Sequence, residues 1–399
     1  MRTSYRDIAL LACCQALLLI NNAALISMNG LVGYSLVENK AFATLGATTF
    51  VLGSALAAMP AALWMAKVGR RRGFMVGSSI AVAGAATCAL ALYLANFALF
   101  CFGTAVIGIY TAFGLQYRFA AAEVAAPEFR AKAISLVLAG GIAGGFLGPQ
   151  ASLWAKDLLP VHFLGSFLVL SAIALVALAV QSQVRVPAPS MEESRGGGRS
   201  LGKIARQPVF IVAALSAALG YGIMNLLMTA TPLAMSFCSH PFSAAAFVIE
   251  WHVVGMYAPG FFTGSLIRRF GALKVIAAGV VLMVACVSVA LSGVALWQFW
   301  AALVLLGVGW NFMYTGGTTL LIEAYKPAEK AKTQGMNDVI VFAVMSVSSF
   351  SSGALVSAAG WEWMNLGALP LLVVVAGAVL WLTLLRRHDT RLGGSAKAT

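Results

Sequence analysis

Charge is what this chain has least of. Asp, Glu, Lys and Arg together make up 10% of 399 residues, and only 13 are acidic, where a soluble domain carries roughly 25% charged residues. That scarcity excludes an ordinary water-soluble fold. The chain also lacks a disulfide framework. Its six cysteines, Cys13, Cys14, Cys88, Cys101, Cys238 and Cys286, show no regular spacing, and all but Cys238 fall within apolar runs. No grouping of nucleophile, base and orienter stands out, and no Gly-rich phosphate loop follows a strand, so the chain reads as no enzyme.

What is present is hydrophobicity: 61% of residues and a mean hydropathy of +0.90. About 30 Å of hydrocarbon at 1.5 Å per residue calls for about twenty apolar residues per crossing. Twelve runs meet that requirement, at 8–34, 43–65, 73–93, 95–117, 133–155, 163–183, 208–236, 243–267, 273–295, 298–322, 333–359 and 363–385. The expectation is an all-α, multi-pass membrane protein. Basic residues are retained on the cytoplasmic side. With both termini inside, all but Lys40 and Lys156 of the 26 Lys and Arg lie on that side. The net charge of +13 is thereby assigned to topology and to contact with the lipid bilayer, with no nucleic acid as partner. Leu10-Leu11-Ala12-Cys13 has the look of a lipoprotein cleavage box, but its apolar run follows it, so it is read as the cytoplasmic end of helix 1.

A repeat divides the chain. Glu123-Val-Ala-Ala-Pro127-Glu-Phe-Arg130-Ala131-Lys132 recurs as Glu323-Ala-Tyr-Lys-Pro327-Ala-Glu-Lys330-Ala331-Lys332, each after the fourth helix of its half. The loop after the second helix recurs as well, Lys67-Val-Gly69-Arg70-Arg71 and Arg269-Phe-Gly271-Ala-Leu-Lys274. Two pseudo-symmetric six-helix bundles follow, at 1–184 and 208–385, with a Gly- and Arg-rich cytoplasmic linker at 185–207 and a cytoplasmic tail at 386–399.

On these features the chain resembles the major facilitator superfamily over essentially its whole length. The superfamily's signature loop, Gly-x-Leu-Ala-Asp-Arg-x-Gly-Arg-Arg, is matched by the run from Ala62 to Arg71, with Ala66 at the acidic position. The resemblance implies the major facilitator fold and conformational-gate roles for Lys67, Gly69, Arg70, Arg71, Arg269 and Gly271. Gly140, Gly144 and Gly148, with Pro149, form part of an antiporter-associated pattern. Small residues at every fourth position are also a helix-packing device, and that reading is preferred.

Ionisable groups inside the membrane cost roughly 2.5–3.5 kcal/mol each on insertion scales, so those that persist invite a functional reading. Glu250 and Asp338 are the candidates for proton coupling. For Glu250 the rival is an interfacial position. For Asp338 it is a charge favoured by the dipole at a helix N-terminus, the reading preferred there.

The middle of the membrane carries sulfur and imidazole instead. Met224 and Met228 on helix 7, and His252 and Met256 on helix 8, are pairs four residues apart and so share a helix face. All four fall within about 9 Å of the midplane at 1.5 Å per residue. Thioethers select Cu(I), imidazole accepts copper in either state, and hard cations would want carboxylates. The expectation is a Met/His site for copper as transported substrate, with no permanently bound cofactor; ordinary packing with a proton-sensing histidine is the alternative. These residues and their flanks, TATPLAM, WHVVGMYAPGFFTGSLIRRFG and QGMND, resemble the CcoA-type copper importers of bacterial inner membranes. That likeness implies alternating-access copper import for haem-copper oxidase assembly, with a periplasmic or cytoplasmic copper chaperone as partner. Sister proteins with similar flanks are riboflavin importers.

Met235, Cys238 and His240 are expected as a capture relay at the outer end of helix 7, and Cys13 and Cys14 as inner acceptors. Polar residues expected along the cavity are Asn21, Asn22, Asn29, Tyr110, Gln116, Gln150, Asn225, Asn311 and Tyr314. They would suit an organic substrate better than an ion, which keeps open a proton-coupled carrier of riboflavin or a drug.

Overall fold

In lipid the backbone must satisfy its own hydrogen bonds, and the helix does so within each segment. The computed structural model describes residues 3–38, 42, 45–188 and 197–395, and among them it contains helices and no strand. Lys40, one of the two basic residues expected outside, lies outside the described residues, as does 189–196 of the linker. Among the described residues, ten helices are long and apolar enough to cross a membrane. The eighth and eleventh crossings complete twelve. The eighth is split into Phe242–Tyr257 and Gly260–Phe270. The split falls at Pro259, whose missing N–H breaks the ladder. The eleventh runs into the twelfth as one assigned helix, Lys330–Ser395, turned by Gly360 at φ 81°. The helix expected to end near 385 thus continues through the segment read as a tail, where no helix breaker intervenes before Gly393.

The chain forms two compact units. The first comprises Met1–Gly198 and Lys326–Phe342, the second Arg199–Tyr325 and Ala343–Thr399. In the first unit, close helix crossings depend on glycine. A side chain at Gly53 would lie 2.1 Å from the Ala105 carbonyl oxygen, and one at Gly144 would lie 2.3 Å from Leu19 Cβ. Gly140 and Gly148 abut Ala12 and Ala23 of the first helix in the same way, so the glycines of the fifth helix act in packing.

In the second unit the tenth helix, Leu296–Leu321, is the hub against which the seventh, eighth and ninth pack. The internal repeat is visible in the backbone. Gly69 (φ 91°, ψ 155°) and Gly271 (φ 86°, ψ 154°) make the same turn between two helices. Pro127–Phe129 and Pro327–Glu329 are matching short 3-10 turns.

Candidate functional site

The seventh helix, Pro208–Phe237, and the first part of the eighth supply the four residues expected as ligands. Both helices lie against the tenth. Gly307 allows the closest approach: a side chain there would come within 2.6 Å of the His252 carbonyl oxygen and 2.7 Å of the Met256 nitrogen. This crossing fixes His252, which is fully buried, with Nδ1 2.7 Å from the Leu303 carbonyl oxygen. A carbonyl only accepts, so Nδ1 carries the proton and Nε2 of the neutral ring is left with a bare lone pair. Nε2 has no hydrogen-bond partner among the described residues. One turn on, the Met256 carbonyl accepts from Asn311 Nδ2 at 2.7 Å, and Asn311 in turn accepts from Thr263. The first of these bonds satisfies a backbone carbonyl near the Pro259 break, and the second holds the Asn311 amide in place.

Below this point lies an aromatic cluster that the hydrophobic pattern does not single out. Trp310 of the tenth helix stacks on Tyr314 at 5.1 Å, nearly parallel at 14°. Tyr221 of the seventh helix meets both rings edge-on at 5.4 Å, and Tyr257 of the eighth meets Trp310 at 5.6 Å. The indole joins three helices. Its Nε1–H is buried without an acceptor among the described residues. Trp310 lies seven residues from Leu303, about 10 Å along the helix. The second unit therefore holds a buried acceptor, a buried donor and aromatic faces within about that length of helix. Only position marks Tyr221 and Tyr257 in the sequence: each is within three residues of an expected ligand, Met224 or Met256.

The expected ligands are placed unevenly. Met224 and Met256 are buried beside this cluster, while Met228 is partly exposed. No grouping of three or more His, Cys, Asp or Glu suited to a metal occurs among the described residues. Met235 is buried in packing. His240 places Nε2 2.7 Å from the Val294 carbonyl oxygen and its ring edge-on to Phe299, tying two loops together, while Cys238 stays half-buried. Cys14 is buried and Cys13 exposed.

Glu250 is exposed, which places it outside any buried relay. Asp338 corrects the helix-dipole expectation: it lies beyond the first turn of its helix, is 1% exposed, and forms an ion pair with Arg118, itself 2% exposed. Gln116 Nε2 adds a bond of 2.7 Å to the same carboxylate. Gln116 also accepts from Arg70 at 2.8 Å, and Arg70 donates to Glu123 and Gln334. Lys330 reaches Glu123 at 3.0 Å. Of the signature-loop residues, Arg70 is thus built into a buried network of the first unit, whereas Lys67, Arg71 and Arg269 are exposed.

Most polar residues expected along a cavity instead tie helices together, the default in lipid. Asn21 donates to the Leu170 carbonyl, Asn22 accepts from Thr111, and Asn225 donates to Ser348. Gln150 is exposed.

Comparison with known proteins agrees with this architecture. The family model described as Major Facilitator Superfamily matches residues 11–258 and 240–398, and the chain belongs to that superfamily. It is a multi-pass membrane transporter with the twelve-helix fold of that family. Among its relatives is the riboflavin transporter RfnT of Brucella anthropi, 39% identical over 373 residues, covering 93% of this chain and 94% of the relative. An uncharacterized MFS-type transporter of Bacillus subtilis, YddS, is 28% identical, covering 89% of this chain and 86% of its own length. Similar solved structures include FucP in the outward conformation, with a TM-score of 0.74 and 16% identity over 93% of this chain and 98% of that one. Another is a bacterial homologue of the iron transporter ferroportin, with a TM-score of 0.73 and 11% identity over 94% and 99%. At such identities these two bear on the fold alone.

Proposed function

We propose that the protein carries a small planar heteroaromatic solute of the riboflavin class across a bacterial inner membrane by alternating access, with both termini in the cytoplasm. The observation that carries this reading is the presence, beside the aromatic faces of the second unit, of two buried polar atoms of opposite character, His252 Nε2 and Trp310 Nε1, that have no partner among the described residues. A flavin-like ring has donors, acceptors and a π-face to offer each of them. A metal ion has no use for an indole N–H. The full-length similarity to a riboflavin transporter supports the same substrate class, and it favours the organic alternative over copper. Uptake of labelled riboflavin by cells that cannot synthesise it tests the proposal. Expression should restore uptake, and no uptake above the empty-vector control would refute it.

A second reading rests on His252 alone. A neutral imidazole whose Nδ1–H is held by a carbonyl and whose Nε2 is bare has the arrangement of a metal ligand with its supporting bond in place, and Met256 follows one turn later. On this reading the cargo is Cu(I). Copper accumulation that falls with His252→Ala, while riboflavin uptake is absent, would favour it.

A further inference from the structure

The two repeats differ at one point where the difference leaves space. In the first, Arg70 follows Gly69, turns inward and is bound by Glu123. In the second, Ala272 occupies the corresponding place after Gly271 and brings no guanidinium. Glu323, the counterpart of Glu123, is half-exposed and is held by Arg386 at 2.6 Å. A cavity of about 270 Å³ lies between the start of the ninth helix, Ala272–Leu291, and the end of the twelfth. Its walls are Phe270, Leu273, Ala277 and Val379, and Lys274 and Arg386 also line it.

The lining is apolar within and basic beside it. Thr383, its remaining polar side chain, is satisfied by the Val379 carbonyl at 2.7 Å. Lys274 is exposed and has no carboxylate partner among the described residues. The Arg269 guanidinium lies over the Phe270 ring, 5.2 Å from its centroid. The first turn of the ninth helix has neither a side-chain cap nor an acidic residue, so its free N–H groups add positive potential. Basic pockets between helices at the side of the membrane marked by basic loops suit anionic lipid headgroups.

We propose that this cleft binds one anionic phospholipid, whichever solute the protein carries. The phosphate lies against Lys274 and the open helix start, and an acyl chain runs along Ala277 and Val379. Arg386, already paired with Glu323, frames the site rather than neutralising the lipid. A zwitterionic lipid would gain the apolar contact but little of the electrostatic attraction.

The test is native mass spectrometry of the purified full chain, equilibrated with mixed phosphatidylglycerol and phosphatidylcholine. Wild type should retain one phosphatidylglycerol in preference to phosphatidylcholine. Lys274→Gln should weaken retention about fivefold, the effect of one basic residue near a membrane surface. Ala277→Phe, which fills the cleft and leaves charge unchanged, should weaken it as well. Arg72→Gln, at the matching position of the first repeat, should leave it unaltered. Equal retention of both lipids, retention unchanged in either cleft variant, or equal loss with Arg72→Gln would each overturn the proposal. Cooperative thermal unfolding of the same samples in detergent checks that the variants are folded.

Discussion

His252 and Trp310 lie buried with one polar atom each unanswered among the described residues, and burying such an atom costs on the order of 1–3 kcal/mol. A ligand that supplies the missing partner recovers that cost. Trp310→Phe keeps an aromatic face and removes the donor, so riboflavin affinity should fall about tenfold, within the range of one buried hydrogen bond. Trp310→Ala should reduce it further by removing the stacking surface. Fluorescence titration of the purified variants measures both. A different pair, Arg118 and Asp338, is almost fully buried in the first unit. Asp338→Asn leaves a charge without its partner and should destabilise by about 3–5 kcal/mol, whereas replacing both by leucine should recover much of the loss. Thermal unfolding of the single and double variants in detergent decides this. His252 was legible in the sequence because a mid-membrane imidazole is rare. Trp310 was not, since an aromatic residue in an apolar helix is indistinguishable from packing until its neighbours on other helices are known. Asp338 was legible as an intramembrane charge, but its partner Arg118, on a distant segment, was not.

At the level of elements, helix count and order follow from apolar run length, because the bilayer fixes both. Breaks within helices are harder to read. Pro259 splits the eighth crossing, yet Pro149 and Pro232 lie within continuous helices, where neighbouring groups can satisfy the freed backbone. Most of the polar residues expected to face a cavity turned out to join helices, since in hydrocarbon an amide without a partner is costly. The crossing that sets His252 depends on Gly307. Gly307→Val should force the tenth helix away from the eighth, lower stability by about 1–3 kcal/mol, and weaken substrate binding by moving Leu303 from Nδ1. Gly367→Ala has open space around the new methyl group and should change neither. Paired stability and binding measurements on the two variants test the contrast.

For the whole molecule, the repeat was the most informative feature of the sequence, and the matched backbone at Gly69 and Gly271 bears it out. The two compact units are nonetheless not equivalent: the buried charge network lies in the first, and the aromatic cluster in the second, where His252 Nε2 and Trp310 Nε1 have no partner among the described residues. The asymmetry of basic residues predicts that a cysteine at Ser200, in a cysteine-free background, is labelled by an impermeant maleimide only after the membrane is opened, while one at Asp157 is labelled in intact cells. The ligand spacing that first pointed to copper remains; on the proposed reading the same histidine serves a heteroaromatic ring, a choice supported by the wider aromatic cluster and by the similarity to a riboflavin transporter. Fluorescence titration of riboflavin into the purified protein addresses that choice most directly. The account predicts saturable quenching of the flavin, as expected for a ring stacked on aromatic side chains, and its loss in Trp310→Ala. Absence of quenching in the wild type, together with copper accumulation that depends on His252, would contradict it.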